Sequence, residues 1–147
     1  MTEEQLIDSG FTALGGRVLD VTAIHDITIG RSIYAAAFLA AANDVGIALA
    51  IPAAALQEAW AIAELEDHPF LDLLLDLPLA VVEPLDTAAS RRSGLLGRDT
   101  HAAGHWDAAA AHTALISQDR GWPVLTADPV PLRRIDAALQ VELLPNP

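Results

Sequence analysis

Lysine is absent from this chain of 147 residues, and so is cysteine; all eight cationic side chains are arginines. Without cysteine there are no disulfides, thiolate metal sites or thiol nucleophile, a composition that fits a reducing cytoplasm. With only eight cations against twenty acids the formal charge is −12. The chain as a whole therefore lacks the basic footprint of a passive DNA or RNA binder, and its charge suits metal cations or a basic protein partner. Glycine-rich G-x-G-x-x-G and G-x-x-x-x-G-K-[ST] motifs are missing, so dinucleotide and P-loop nucleotide binding have no support. The opening "MTEEQLIDSG" is acidic and lacks the basic-then-apolar pattern of a signal sequence. The greasiest region, "IYAAAFLAAANDVGIALAIPAAAL", is alanine-rich and broken by Asn43, Asp44, Gly46 and Pro52, so no membrane span is expected.

What remains is ample apolar material: 52% of residues are hydrophobic and 19% charged, which argues a packed core rather than disorder. A chain this long is one domain, able to bury about 68–70% of its unfolded surface. The expectation is a single cytoplasmic domain over 1–147 in which residues 1–15 form an extension. Thr2 and Gln5 have capping-box spacing for a short helix over 3–9 before Gly15 and Gly16.

Short apolar runs at 17–20, 47–51, 79–83, 123–127 and 141–144 read as strands. Between them, helices are expected over 31–45, from Pro52 to about Leu65, over 68–77, over 87–97 with Asp86 as its cap, over 102–119, and over 131–138. Strands that are continuously apolar and alternate with helices specify an α/β fold with a mainly parallel sheet of four to five strands, covered by helices on both faces.

One run carries an anomaly. In "RVLDVTAI" a carboxylate, Asp20, ends a strand that should be buried, and an unpaired buried carboxylate costs several kcal/mol. Asp128 stands at a second strand end, in "VLTADP", and each acid has a threonine two residues away, Thr22 and Thr126. Ligands of open parallel sheets bind outside these carboxyl ends. Glu58 is the only acid across residues 53–63 and falls on the shoulder of an apolar helical arc. Asp107 shares a wheel position with Ala103, Ala110, Ala111 and Ala114, a small-residue stripe that would let its helix lie close to the sheet. Four carboxylates converging on one crevice require a counter-ion, and Mg²⁺ or Mn²⁺ are the natural neutralisers for oxygen ligands. Taken singly, each acid could instead be a cap or a solvated residue, Asp107 and Asp128 being well placed to cap helices. A haloacid-dehalogenase-like phosphatase or a response-regulator receiver would also place an aspartate after its first strand, but both rely on a lysine that this chain does not have.

The other candidates are secondary. His101, His105 and His112 share a face of the expected 102–119 helix, pointing away from Asp107, and read as a solvated stripe. Arg91, Arg92 and Arg98 form the local cluster best suited to phosphate contact. Trp60, Trp106 and Trp122 read as packing residues or interface anchors.

With these acids in this order, residues 17–144 resemble the PIN-domain nucleases, the family that includes VapC-like toxins of bacterial toxin–antitoxin pairs. The resemblance rests on "VLDVTA", the isolated Glu58, "DAAAAHTA" and "GWPVLTADP". The segment "HAAGHW" before Asp107 has no counterpart in it, and Asp99 stands as a rival third acid. The resemblance implies a three-layer α/β/α PIN-like fold and a metal-dependent endoribonuclease using Asp20, Glu58, Asp107 and Asp128 around Mg²⁺ or Mn²⁺, with Thr22 and Thr126 orienting them. It further implies an RNA substrate, an antitoxin protein partner and a homodimer. The alternatives within the same fold are a catalytically weak binding or scaffold protein, and a different metal-dependent phosphodiesterase or DNA nuclease.

Overall fold

The computed structural model describes residues 15–30 and 33–144, so the expected helix over 3–9 lies outside the described residues. Five strands, β1 (Gly16–Leu19), β2 (Ala48–Pro52), β3 (Ala80–Glu83), β4 (Val124–Thr126) and β5 (Val141–Leu143), form one sheet in the order β3-β2-β1-β4-β5. Every pairing is parallel: Val18 faces Ala50 on one side and Val124 on the other. Parallel neighbours need crossover connections, and these are helical. α1 (Val21–Ile29) and α2 (Ile33–Val45) join β1 to β2; α3 (Ala53–Ile62) and α4 (His68–Asp76) join β2 to β3. α5 (Thr87–Leu96), α6 (Arg98–Ala102) and α7 (Ala108–Arg120) lead to β4, and α8 (Val130–Ile135) leads to β5.

Successive strand residues point to opposite faces of a sheet, which divides the core in two. Leu19, Leu49, Ile51 and Leu125 pack with Ile24 of α1 and with Leu71 and Leu74 of α4. Val18, Ala50 and Val124 pack with Ala110 and Ala114 of α7 and with Leu132 of α8. This is the three-layer α/β/α arrangement. The alanines let α7 lie close against the sheet, as expected of that stripe.

Two elements differ from the sequence reading. α1 was not expected: its Val, Thr and Ile content lowers helix propensity, but Asp20 caps its first turn and Ala23 and Ile24 are buried. The helix expected over 102–119 begins only at Ala108, because Gly104 adopts a left-handed conformation (φ 81°) just after α6 ends and the chain restarts at Asp107. Asp107 is therefore the N-cap of α7 and not a member of its face. The break also disperses the histidine stripe. His101 lies on α6, His105 in the connection, and His112 is fully buried in α7 instead of solvated.

Candidate functional site

The direction of chain winding reverses at β1: β2 and β3 lie to one side of it, β4 and β5 to the other. The loops leaving the carboxyl ends of β1 and β4 consequently diverge and leave a crevice between them. A cleft of about 160 Å³ opens there, and Asp20, Glu58, Asp107 and Asp128 all line it. Thr22, Thr113, Pro131 and Leu132 complete much of its wall, with Ala109 and Ala110 of α7. Among the described residues no basic side chain lines it.

Asp20 is only 7% exposed, and its burial is satisfied by three donors. Oδ1 accepts from the Ala23 amide (2.9 Å) and the Thr22 hydroxyl (2.7 Å), while Oδ2 accepts from the Thr126 hydroxyl. Each threonine in turn accepts a backbone amide, Thr22 from Ala127 of the other strand end (2.8 Å) and Thr126 from Asp128 two residues along its own (3.0 Å). The two strand ends are thus stitched together through one carboxylate. Three of about four acceptor positions on Asp20 are filled, and the aspartate is held in a single orientation. Burial nevertheless raises its pKa above the ordinary carboxylate value, against the pull of the Thr126, Thr22 and Ala23 donors. Its ionised form lacks a compensating positive charge.

The remaining acids come from three other segments. Asp107 accepts the Ala110 amide (2.9 Å) as helix cap, which fixes it at the mouth of the cleft. Glu58 projects from the middle of α3 and is solvent-accessible at the rim. Partial desolvation, and after it the negative charge of Asp107, raise its pKa. Asp128 is exposed beyond β4, and its Oδ1 accepts the Val130 amide (3.1 Å) where α8 begins. The cap roles open to Asp107 and Asp128 from sequence are real, and both acids line the cleft while filling them. Asp99, the rival acid, lines a separate depression with Thr100, His105 and Arg134.

Among the described residues no three His, Asp or Glu side chains are arranged to hold a metal ion by themselves. The donor set still fits a hard divalent cation. It is all carboxylate oxygen, it contains an underneutralised Asp20, and Mg²⁺ keeps several waters and binds through one or two carboxylates rather than an all-protein cage.

The likeness to known structures can now be set beside this geometry. No family model matches the chain, and no curated protein matches it. A chain in the crystal structure of VapBC2 from Rickettsia felis, bound to a DNA fragment from their promoter, superposes with a TM-score of 0.63. The match covers 88% of this chain and 98% of that one at 14% sequence identity. The fold is PIN-like. At that identity the likeness carries the architecture alone.

The side chains revise the arginine cluster. Arg92 is bound through both terminal guanidinium nitrogens to Asp119 (2.6 and 2.7 Å), a bidentate pair that occupies its charge. Arg91 and Arg98 are exposed on separate helices, α5 and α6. Sequence reasoning missed Thr113, which is fully buried, lines the cleft and has no hydrogen-bond partner for its hydroxyl. The available signal was a hydroxyl inside the alanine stripe, three residues after Ala110.

Proposed function

We propose that this chain is a metal-dependent endoribonuclease that hydrolyses RNA phosphodiester bonds, the toxin of a toxin–antitoxin pair. The observation that supports the reading most is the convergence of four carboxylates, from four separate segments, on one cleft that no basic side chain lines among the described residues. Such a concentration of negative charge calls for a bound cation. Asp20 and Asp128 are the direct ligands in this reading, with Glu58 and Asp107 acting directly or through water. When bound, Mg²⁺ or Mn²⁺ supplies Lewis-acid polarisation of the scissile phosphate and a more acidic water. The chain's own contribution is rigidity: Thr22 and Thr126 hold Asp20, and the α7 cap holds Asp107. No side-chain nucleophile is required. A protein antitoxin that masks the acidic cleft and a homodimer belong to the proposal. The pairing is suggested by the VapBC2 neighbour, and an antitoxin arginine would suit the cleft.

The test is incubation of the purified chain with single-stranded and structured RNA, in Mn²⁺ or EDTA, alongside Asp20→Asn. Cleavage should require Mn²⁺ and fall at least about a hundredfold in the variant, as loss of an essential charged group implies. Cleavage that persists in EDTA or in Asp20→Asn overturns the mechanism. Intact RNA under every condition turns the reading toward a scaffold protein, and degradation of DNA alone turns it toward a DNA nuclease.

A further inference from the structure

We infer that the depression over α5 and α6 closed by Trp106 is a base-stacking subsite, which holds one unpaired nucleobase of the RNA strand beside the scissile phosphate. The inference rests on the ribonuclease reading and names how that site takes its substrate.

Trp106 immediately precedes Asp107, one Cα step of about 3.8 Å from the cleft rim. Its indole is 46% exposed in a chain with only 5% aromatic residues, so it is neither core nor one of many surface aromatics. The ring is seated deliberately on backbone. A Cβ placed on Gly97 would stand 2.6 Å from a Trp106 ring carbon, so only glycine there allows the indole to lie down. His101 meets it edge-on, ring centres 6.2 Å apart at 71°. With Gly94 and Arg98 these residues bound a depression of about 240 Å³.

Charge selects the occupant. Arg17, Arg92 and Arg120 are each engaged by a carboxylate. Among the described residues Arg91, Arg98, Arg133 and Arg134 form no salt bridge, and they lie on α5, α6 and α8. α6 packs against both of the other two helices, so these arginines stand on adjoining elements. In a protein of net charge −12 these helices carry the arginines that form no salt bridge among the described residues, and Trp106 is joined through the chain to Asp107 of the acidic cleft. An aromatic face beside unpaired arginines is the platform on which single-stranded nucleic acid binds: bases stack on the ring while guanidinium groups neutralise the flanking phosphates. A duplex hides its base faces and is excluded. A protein partner would need a wider apolar area than a ring bounded by glycine, arginine and histidine.

The experiment uses the full chain silenced with Asp20→Asn and a fluorescently labelled single-stranded oligoribonucleotide, followed by anisotropy. Trp106→Ala should weaken binding about tenfold, the usual effect of losing one stacked base, while Trp106→Phe retains most of the affinity. Arg98→Gln should weaken binding and flatten its salt dependence. The same strand annealed to its complement should bind more weakly and ignore Trp106. Removing a single base next to the cleavage position should reproduce the Trp106→Ala loss without adding to it. Circular dichroism and urea midpoints confirm that each variant is folded, and Trp106→Phe keeps the test decisive should the alanine variant unfold. Equal strand affinity in Trp106→Ala and its parent overturns the subsite, as does equal affinity for strand and duplex, or no strand binding at all. Cleavage by the parent enzyme with Trp106-independent binding sinks the subsite and leaves the nuclease standing. Trp106-dependent strand binding without cleavage does the reverse.

Discussion

At the residue scale the cleft is a place where stability was given up. Burial raises the Asp20 pKa above 3.8, so the folded protein binds that proton more tightly than the unfolded chain does. The Asp20 contribution is therefore most favourable below pH 3.8 and is lost as pH rises through the folded pKa. Asparagine cannot ionise and can keep the Oδ1 bonds to Thr22 and Ala23. In EDTA at about pH 7, Asp20→Asn should melt no lower than the parent and rise by a few degrees, given about 2–4 °C per kcal/mol at this length. A clear loss of thermal stability would show that the carboxylate is structural. Thr113 follows the same logic, since its buried hydroxyl has no partner in the fold. Thr113→Val, nearly isosteric, should leave the urea midpoint unchanged or higher, because an unsatisfied buried hydroxyl is removed at little cost in volume. If the unfolding free energy falls by about 1 kcal/mol or more, the hydroxyl is hydrogen-bonded after all. His112 carries the opposite sign. Its Nδ1 accepts the Ala54 amide, and burial lowers its pKa below 6.5 against the upward pull of Glu83, the Pro84 carbonyl and Asp86. Its contribution is complete above pH 6.5 and drains away as pH falls toward the folded pKa, because only the unfolded chain takes up the proton. His112→Asn, whose amide oxygen can stand in for Nδ1, should flatten the urea midpoint between roughly pH 7 and pH 5, where histidine titrates. An unchanged slope would assign that pH dependence to other groups.

At the scale of elements, Asp107 joins two functions that ordinary mutagenesis would confound. It caps α7 and lines the cleft. Asparagine caps as well as aspartate, whereas alanine loses about 0.5–2 kcal/mol. Asp107→Asn should therefore keep the parent's stability while abolishing cleavage, and Asp107→Ala should lose both; unfolding curves and turnover on one RNA distinguish them. Full activity in the asparagine variant would remove Asp107 from the machinery. The same residue shows what the sequence reveals and what it conceals. The five strands were legible because each is a continuous apolar run, and the parallel order followed from their alternation with helices. Asp20 and Asp128 were legible as strand-end acids. α1 was hidden because its β-branched residues disfavour helix locally, and a cap plus burial of Ala23 and Ile24 override that preference. The break before α7 was hidden because "HAAGHWDAAAA" keeps helical spacing through Gly104, whose left-handed backbone is visible only in three dimensions. Arg92 and Asp119 are 27 residues apart, so no local pattern shows that they pair. Thr113 and Trp106 owe their interest to what surrounds them, an emptiness beside one and a glycine seat beneath the other.

For the whole molecule, the tension lies between a charge of −12 and a polyanionic substrate. Two features offset it in the proposed function. Divalent cations in the cleft would neutralise charge where the phosphate is to be cut, and free arginines would steer the strand beside it. Each makes a separate prediction. Specific cation binding should stabilise the fold by about 2.7 kcal/mol when the cation reaches a hundred times its dissociation constant, read as a rise in melting temperature. NaCl at equal ionic strength should not reproduce the rise, and Asp128→Asn should reduce it. A rise produced equally by NaCl would mean that diffuse screening of the acidic surface, and not a site, is responsible. The strand-binding contribution is bounded by the number of unbridged arginines. Counterion release from single strands gives a slope of log K against log salt of about −0.7 per phosphate neutralised. Among the described residues Arg91, Arg98, Arg133 and Arg134 together account for a slope near −3, far shallower than a dedicated nucleic-acid binder shows. Measured in Asp20→Asn at fixed Mg²⁺, the slope should fall between about −1 and −3 and lose close to one contact's worth in Arg98→Gln. A slope of zero would mean that no arginine touches phosphate.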